Sequence, residues 1–484
     1  MTLQMVLDDI RKRPGSGEVI AVIDPVTEEQ ITEFTDGGEE AIEEAVGRAR
    51  ASFESGVWAD LPGKERAKIL WRIADLIDQH SSDLVDIDSL NTGMTLTHAH
   101  TLTATSAEFF RYYAGWCTKV NGIAHDVRIT GGVTGNSASM HAYTLKEPYG
   151  VVGLIFPWNG PVFNACAKLA PALAAGCSMV VKPAEETPLS ALLLEKIIAQ
   201  AGVPDGVVNL VTGYGHTAGA ALVQHPDIDK IAFTGSTEVG KQIAHAAAGN
   251  LKKVMLELGG KSPVLIYDDA DLSAAIPMAA MGTFMHAGQV CACGSRIFVQ
   301  RGVYDQVVEG IVTVANSVKL GGPREEGSVI GPLVSQKQLT RVMSFIDEGK
   351  RDGVEVVTGG HRLDRRGYFV HPTVLTNVDR SMRLYQQEIF GPVMTILPFD
   401  DDDEAVTMAN DTSYGLYATA WTTNLSRAHR LAKRLAAGTV TLGCELAFDH
   451  AMPMGGYKQS GWGYEFGREG IEAYMQTKTV FTQL

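Results

Sequence analysis

The stretch from Gly150 to Leu258 contains five short apolar runs: GVVGLIF (150–156), SMVVK (178–182), GVVNLV (206–211), IDKIAF (228–233) and KKVMLEL (252–258). Each run is bounded by Gly, Pro or Asp, and helix-like segments such as PLSALLLEKIIAQAG (188–202) separate most of them. Strands that alternate with helices favour parallel pairing. This stretch therefore predicts a doubly wound α/β sheet.

A second alternation of strand-like and helix-like segments follows the Gly259-Gly260 pair. Its strand-like runs include SPVLIY (262–267), VEVVTGG (354–360), VMTILPF (393–399) and TVTLG (439–443). We expect two α/β domains instead of one oversized sheet. The first would contain residues 1–125 and 149–258, and the second residues 259–460.

Segments outside these alternations carry their own patterns. The stretch EEAIEEAVGRARASFES (39–55) is helix-like, and the spacing of Leu70, Ile73, Ala74 and Ile77 predicts an amphipathic helix. Residues 126–148 alternate polar and apolar side chains with Gly-rich turns, which predicts a projecting hairpin. The last residues, KTVFTQL (478–484), predict one more strand, in a C-terminal segment bounded as 472–484.

Composition excludes several classes of function. The 484 residues include 41 basic and 56 acidic side chains, a net charge of −15, without a basic cluster to bind a nucleic-acid backbone. No apolar run reaches the roughly 18 residues of a membrane span, and the N-terminus lacks the features of a secretion signal, so we expect a cytoplasmic protein. The six cysteines are too few for a disulfide scaffold, and no metal-ligand spacing is complete, so we expect no metal.

Three residues have the chemistry of an acyl-transfer site. Cys291 lies in HAGQVCACGSR, a run of small residues that a substrate could approach closely, although a buried cysteine is the commoner case. Glu257 ends an apolar strand, where burial would raise its pKa toward that of a general base, while a solvent-exposed strand end is the simpler alternative. Asn159, in FPWNGP, offers an amide to an oxyanion or simply makes a turn.

Other residues suggest a nucleotide site. FTGSTEVG (233–240) joins a strand to a helix whose first turn, at Ser236, could bind phosphate or merely cap the helix. Lys182 and Glu185 follow a strand at the edge where doubly wound sheets hold nucleotides, and a carboxylate there can accept the ribose hydroxyls.

The order of these motifs is more specific than any one of them. FPWNGP, VVKPAEETPLS, FTGSTEVG, LELGGKSP, GQVC, EIFGPV and MGGYKQSGWG follow one another along the chain. With this order and spacing the sequence resembles the NAD(P)-dependent aldehyde dehydrogenase superfamily, of the hydrolytic type that does not acylate CoA. The resemblance extends from about residue 20 to the C-terminus.

The resemblance implies a role for each catalytic candidate. Cys291 matches the nucleophile. Asn159 and the backbone N–H of Cys291 match the oxyanion site, and Glu257 matches the base that activates water to hydrolyse a thioester. Cys293 is instead expected to be structural or a redox bystander. Lys168 and Glu465 match a pair that relays the proton, with a structural salt bridge as an equally open interpretation.

The resemblance also implies that the chain binds NAD. The implied cofactor-binding residues are Ile155, Trp158, Lys182, Glu185, Gly215, Phe233, Gly235, Ser236, Leu258, Glu388 and Phe390. Glu185 would repel a 2′-phosphate, so NAD is expected over NADP, although Lys182 leaves dual use open. The first domain would bind NAD and the second would complete the catalytic site. The hairpin and the terminal strand would form an oligomerisation arm of a homodimer or homotetramer.

The expected substrate tunnel departs from that of common relatives. Small or polar residues, Gly160, Asn164 and Ala167, stand where relatives have larger ones, Met454 replaces one aromatic residue, and Phe448 keeps another. The freed volume suggests a bulky aromatic or polycyclic aldehyde. Filling of the gap by neighbouring loops is the alternative.

Three other functions remain as alternatives. A CoA-acylating semialdehyde dehydrogenase generally lacks the base that Glu257 matches. A catalytically silent binding or structural protein would not need Cys291, Glu257, Asn159 and Glu388 together. A cysteine amidohydrolase would need a histidine near the thiol and would have no use for nucleotide motifs.

Overall fold

A computed structural model describes residues 2–129 and 138–483. The α-helices of these residues are α1 (Leu3–Ile10), α2 (Gly38–Glu54), α3 (Gly63–Gln79), α4 (Ser81–Thr92), α5 (Leu96–Ala114), α6 (Pro161–Ala175), α7 (Leu189–Ala201), α8 (Ala220–Gln224), α9 (Thr237–Ala247), α10 (Leu272–Phe284), α11 (Tyr304–Ser317), α12 (Gln336–Arg351), α13 (Arg383–Gln386), α14 (Asp402–Asn410), α15 (Leu425–Arg434) and α16 (Gly467–Glu472).

The strands of the same residues form four sheets. They are β1 (Val19–Ile23), β2 (Gln30–Thr35), β3 (Ala124–Ile129), β4 (Ala138–Pro148), β5 (Val151–Phe156), β6 (Ser178–Pro183), β7 (Val208–Leu210), β8 (Lys230–Thr234), β9 (Lys253–Glu257), β10 (Pro263–Ile266), β11 (Arg296–Gln300), β12 (Glu355–Thr358), β13 (Thr373–Thr376), β14 (Val393–Phe399), β15 (Tyr417–Trp421), β16 (Thr439–Leu442), β17 (Gly461–Trp462) and β18 (Met475–Gln483).

The first large sheet confirms the doubly wound prediction. Its order is β17-β9-β8-β5-β6-β7, and all pairs from β9 to β7 are parallel. The chain runs outward from β5 through β6 to β7, then returns to the other side of β5 with β8 and β9. The strand order therefore reverses between β5 and β8, at the point where such sheets bind ligands.

The second large sheet has the order β12-β13-β14-β11-β10-β15-β16. Every pair is parallel except the antiparallel edge pair of β12 with β13. The sequence patterns identified β10, β12, β14 and β16 and missed β11, β13 and β15. Those three strands have only four or five residues each and are buried or nearly so, which leaves no alternation to detect. The strand β10 is as short and as buried, but the Gly259-Gly260 pair marks its start.

The helix predictions near the N-terminus are confirmed, although α1 and the β1–β2 hairpin precede them. The four apolar residues of the α3 pattern, Leu70, Ile73, Ala74 and Ile77, are all fully buried. The helix α2 begins with Glu39 and Glu40, whose charges complement the positive end of the helix dipole.

A three-stranded antiparallel sheet contains the predicted hairpin and terminal strand, in the order β18-β4-β3. The tip of the predicted hairpin, residues 130–137, lies outside the described residues. The strand pairing begins at Ala124, which lies opposite Tyr143, two residues before the expected boundary at residue 126. At the other end, Glu472 still belongs to α16, and β18 begins at Met475.

Candidate active site

The first group of predicted residues lies at the carboxyl edge of the parallel strands. Asn159 follows β5 by three residues, Lys182 is the penultimate residue of β6, Ser236 lies just beyond β8, and Glu257 ends β9. Parallel strands place these ends on one edge of the sheet. The sheet therefore brings together residues that lie about a hundred positions apart in sequence.

The loop that carries Cys291 has an unusual backbone. A turn at Met285–Gly288 follows α10, and its residues His286, Ala287 and Gly288 have φ values of 52°, 54° and 69°. These left-handed values are unfavourable for residues with a side chain. At Gly288 a Cβ would also lie 2.0 Å from the carbonyl oxygen of Gly391, so only glycine fits there.

The buried side chain of Gln289 holds this loop in place. Its Nε2 donates to the carbonyl oxygen of His286 at 3.0 Å, and its Oε1 accepts from the backbone N–H of Val334 at 2.9 Å. Its own carbonyl oxygen accepts from Asn159 Nδ2 at 2.8 Å. Gln289 thus fixes both the approach to Cys291 and the orientation of the Asn159 amide.

Cys291 is partly exposed, whereas Cys293 is buried and directs its Sγ to the carbonyl oxygen of Gly288 at 3.8 Å. Burial, followed by the carboxylates of Glu388 and Glu257, raises the pKa of the Cys291 thiol above its ordinary value. The resting thiol is therefore neutral at physiological pH, and its activation requires a proton acceptor.

Asn159 and the backbone of Cys291 each have an N–H donor without a protein acceptor among the described residues. A side-chain amide nitrogen carries two N–H groups, and the bond to Gln289 uses one of them. Within the described residues, the backbone N–H of Cys291 has no protein acceptor. These two donors could stabilise negative charge on an oxygen bound near the thiol.

Glu257 is 5% exposed, and neither of its carboxylate oxygens has a protein hydrogen-bond partner among the described residues. Burial and then the charge of Glu465 raise its pKa well above the ordinary value, and Lys168 partly opposes this shift. The structure thus excludes the solvent-exposed alternative. A buried carboxylate with a raised pKa suits a general base near neutral pH.

Lys168 and Glu465 form a buried ion pair beside Glu257. Lys168 Nζ contacts Glu465 Oε1, and the two side chains are 1% and 8% exposed. Glu465 reaches this position because its backbone pairs with Met454 and because β17 pairs with the end of β9. The chain segment after the second sheet therefore completes the site on the first.

Glu388 and its neighbours form one end of the candidate cofactor site. The Oε1 atom of Glu388 accepts from the backbone N–H of Gly260 at 2.9 Å. A Cβ on Gly259 would lie 2.5 Å from Glu388 Oε2. Burial raises the pKa of Glu388 to about 7. Nearby, Phe390 has a positive φ of 60° and its ring meets that of Trp158 edge-on at 5.3 Å.

The other end lies beside β6. Lys182 is 2% exposed, and its Nζ donates to the carbonyl oxygen of Pro183 at 2.9 Å and to Glu185 Oε2 at 3.3 Å. Glu185 is partly exposed. Gly215 begins a π-helical turn and has open space where a Cβ would lie. At this end the partly exposed carboxylate of Glu185 therefore faces an open surface, and the buried Lys182 ammonium lies beside it.

Residues between these ends pack closely. A Cβ on Gly235 would lie 2.4 Å from the Phe233 ring, so glycine allows the chain to turn tightly after β8. The Ser236 hydroxyl caps α9 by accepting from Val239 N at 3.3 Å. The remaining predicted cofactor residues are Leu258, which is buried, and Ile155, which is half-buried.

The predicted tunnel residues cluster around the start of α6. Asn164 Nδ2 donates to the carbonyl oxygen of Gly160 at 2.9 Å, and a Cβ on Gly160 would lie 3.3 Å from that nitrogen and 3.4 Å from Leu102. Ala167 is buried and Met454 is half-buried against the first domain's core. Asn164 and Leu102 therefore narrow the space beside Gly160.

Aromatic residues that the sequence patterns missed surround Phe448. We call Phe109, Phe163, Phe448 and Phe466 the phenylalanine cluster. Phe448 is 42% exposed, and its ring lies 5.9 Å from Phe109, 5.8 Å from Phe163 and 5.0 Å from Phe466. Phe163 and Phe466 each follow a motif by two or three residues, but Phe109 lies far from any motif, so no sequence signal groups the four residues.

Arg296 has a structural role. It is fully buried, and its guanidinium donates to the carbonyl oxygens of Lys261 and Ala409 at 2.9 Å and 2.8 Å. Among the described residues, no group of three or more His, Cys, Asp or Glu side chains could hold a metal ion. The described helices include none with the length and apolar character to cross a membrane.

Known proteins resemble this chain over nearly its whole length. The model of the aldehyde dehydrogenase family matches residues 12–480. An aldehyde dehydrogenase from Emericella nidulans is 45% identical over 469 residues, 97% of this chain and 92% of that protein.

Two solved structures are also similar. An aldehyde dehydrogenase mutant from Bacillus cereus has a TM-score of 0.94 and 43% identity, covering 99% of this chain and 98% of that one. Betaine aldehyde dehydrogenase from Staphylococcus aureus, in complex with NAD+, has a TM-score of 0.95 and 37% identity, covering 99% and 96%. The resemblance seen in the motifs is confirmed, and the chain belongs to the aldehyde dehydrogenase family.

Proposed function

We propose that this aldehyde dehydrogenase converts its substrate to the carboxylic acid through a thioester on Cys291 that water hydrolyses. The observation that carries this proposal is the state of Glu257. Its carboxylate is buried without a hydrogen-bond partner among the described residues, and its charge acts on the Cys291 thiol. A base in this position can take a proton from a water molecule next to an acyl group on that sulfur.

The chain's residues divide the reaction between them. The partly exposed Cys291 releases its proton to solvent water, and its sulfur forms a bond to the aldehyde carbon, whose oxygen takes the negative charge. The Asn159 amide and the Cys291 N–H donate to the resulting oxyanion. Glu257 then accepts a proton from water as the water oxygen attacks the thioester carbon. The C–S bond breaks, the acid leaves, and the thiolate of Cys291 is restored.

The residues present fit NAD as the cofactor. Glu388 is held at one end by Gly260, and at the other end the partly exposed Glu185 is paired with the buried Lys182. When bound, NAD+ supplies the acceptor for the hydride that the substrate carbon loses, which leaves the thioester. Glu185 would accept hydrogen bonds from ribose hydroxyls and repel a 2′-phosphate, so we propose NAD over NADP. Lys182 leaves room for some use of NADP.

The Lys168–Glu465 pair has a role in this proposal as a proton relay. The charge of Glu465 acts on Glu257, so a proton held by Glu257 could pass toward the pair. A purely structural ion pair is the competing interpretation. The two interpretations differ in the effect of neutral replacements at Lys168 and Glu465. A proton relay predicts slower thioester hydrolysis, and a structural ion pair predicts only lower stability.

We propose an aromatic or polycyclic aldehyde as the substrate. Gly160 and Ala167 add little side-chain volume beside the site, and the phenylalanine cluster supplies apolar ring surface. Aromatic rings pack favourably on one another in edge-on or offset arrangements. The half-exposed ring of Phe448 is available for such contact.

A variant that refills the space tests the substrate class. Gly160 has an extended φ of 178°, which any residue adopts, and its nearest neighbours are side-chain atoms. We expect Gly160→Phe to lower kcat/KM for 2-naphthaldehyde at least tenfold more than for acetaldehyde. A wild-type enzyme that clearly prefers acetaldehyde would refute the aromatic assignment.

The competing functions are also testable. The presence of Glu257 favours hydrolysis over transfer to CoA, and product analysis with and without CoA separates the two. A silent binding protein would produce no NADH from any aldehyde. We expect NADH production that Cys291→Ala abolishes.

The domain roles follow from the same proposal. Residues 1–125 and 149–258 would bind NAD, residues 259–460 would complete the catalytic site, and residues 126–148 with 472–484 would form the oligomerisation arm. The outer edges of β3 and β18 have no strand partner among the described residues, and pairing across subunits would satisfy such edges. We propose a homodimer or homotetramer, which light scattering would resolve. A cytoplasmic location stays a prediction.

A further inference from the structure

His450 introduces a polar ring into the phenylalanine cluster. Its imidazole meets Phe109 edge-on at 4.7 Å and Phe448 at 5.0 Å. Through Phe109 it is connected to Phe163, whose ring lies 5.3 Å from that of Phe109 on the helix that begins next to Asn159. His450 therefore belongs to the same wall as the proposed substrate tunnel.

A hydrogen bond fixes the tautomer of the His450 ring. Its Nε2 lies 3.0 Å from the backbone carbonyl oxygen of Thr105. A carbonyl oxygen only accepts, so Nε2 must carry the proton, and Nδ1 of the neutral ring presents a lone pair. Among the described residues Nδ1 has no hydrogen-bond partner, and the half-buried ring leaves part of this atom's surface accessible.

We propose that His450 is a specificity-determining residue that selects aryl aldehydes carrying a hydroxyl group on the ring. An accessible lone pair beside aromatic faces matches a substrate that combines an aromatic ring with an O–H donor. Asp449 precedes His450 and carries a carboxylate, so an anionic ring substituent would meet an unfavourable charge. This inference rests on the proposed aromatic substrate class and adds the polar group that the substrate carries.

Two substitutions separate the two nitrogens of the ring. In His450→Gln the side-chain amide can still donate to Thr105, but it places no acceptor at the position of Nδ1. In His450→Asn the amide oxygen can occupy the position of Nδ1, while the donor to Thr105 is lost. His450→Phe removes both groups and keeps an aromatic ring. His429→Gln, on the exposed face of α15, is the matched control.

The measured quantity is a ratio of kcat/KM values. For each enzyme, 3-hydroxybenzaldehyde and 6-hydroxy-2-naphthaldehyde are compared with their methyl analogues. A hydrogen bond at a partly exposed site predicts a wild-type preference for one or both hydroxylated substrates of about 3- to 10-fold. We expect the ratio to fall to about 1 in His450→Gln and His450→Phe, to remain higher in His450→Asn, and to stay at the wild-type value in His429→Gln.

The outcomes distinguish failure of the role of His450 from failure of the aromatic substrate class. A wild-type ratio near 1, or one that His450→Gln leaves intact, overturns the role of His450 even when aryl aldehydes are good substrates. A wild-type preference for acetaldehyde over every aryl aldehyde instead overturns the substrate class and the role of His450 with it. Equal losses on both members of each pair would show a structural effect and also overturn the role.

Discussion

Replacement of Glu257 by glutamine separates the two halves of the proposed reaction. Glutamine has nearly the same size, and neither oxygen of Glu257 has a protein hydrogen-bond partner among the described residues, so the change breaks no such contact. What is lost is the proton acceptor for the hydrolytic water. General-base catalysis contributes about 10²- to 10⁴-fold, which corresponds to about 3–5 kcal/mol in the barrier to thioester hydrolysis.

The first half of the reaction should survive this change. The charge of Glu257 contributes to the raised pKa of Cys291, so a neutral glutamine makes the thiolate easier to form. In a stopped-flow experiment with saturating NAD+ and aldehyde, we expect a burst of about one NADH per active site. The steady-state rate after the burst should be about 10²- to 10⁴-fold below that of the wild type.

The control and the contradicting results are clear. Glu309→Gln changes an exposed glutamate on α11 and should behave as the wild type. A steady-state rate within tenfold of the wild type would refute Glu257 as the base. Loss of the burst, with the protein still folded, would show that Glu257 acts before the thioester forms.

Three further variants test other parts of the site. Burial raises the pKa of Glu388 from 4.5 to about 7, so the folded state binds this proton more tightly than the unfolded state does. The wild type therefore loses up to about 3 kcal/mol of folding stability as pH rises from about 4.5 to 7. Glu388→Gln removes this loss, so its advantage in thermal stability should be larger at pH 8 than at pH 5; an advantage independent of pH contradicts the assignment. Lys168→Met leaves the charge of Glu465 buried and unpaired, and it should lower the free energy of unfolding in urea by about 3–5 kcal/mol. The double variant that also carries Glu465→Leu should recover most of this loss. A loss below about 1 kcal/mol in the single variant would contradict a buried ion pair. Asn159→Ala should lower kcat about 10²- to 10³-fold, and retention of full activity would exclude its amide from the oxyanion site.

The predictable part of the site lies at the ends of parallel strands. Asn159, Lys182 and Glu257 follow or end apolar runs that are readable in the sequence, and the rule for doubly wound sheets places such ends on one edge. The fold class and the parallel pairing of β5 to β9 follow from the same alternation. Local pattern and topology therefore suffice for this half of the molecule.

The unpredicted part depends on contacts between distant segments. Phe109 and Phe466 join Phe448 from separate helices and loops, and no periodicity links them. The sequence also does not reveal the left-handed φ of His286, because residues with a side chain rarely adopt such a value. Gln289 looks like part of a short motif, and only the structure shows that its side-chain amide connects His286 to Val334 while its backbone carbonyl oxygen accepts from Asn159.

The most direct test of the account is the identity of the sulfur that carries the acyl group. The Glu257→Gln enzyme is mixed with NAD+ and an aryl aldehyde, quenched in acid, digested and analysed by mass spectrometry with fragmentation between Cys291 and Cys293. We predict an added mass equal to the acyl group on Cys291, absent when NAD+ is omitted. An acyl group on Cys293, or a full burst of NADH with no acylated cysteine, would contradict the account.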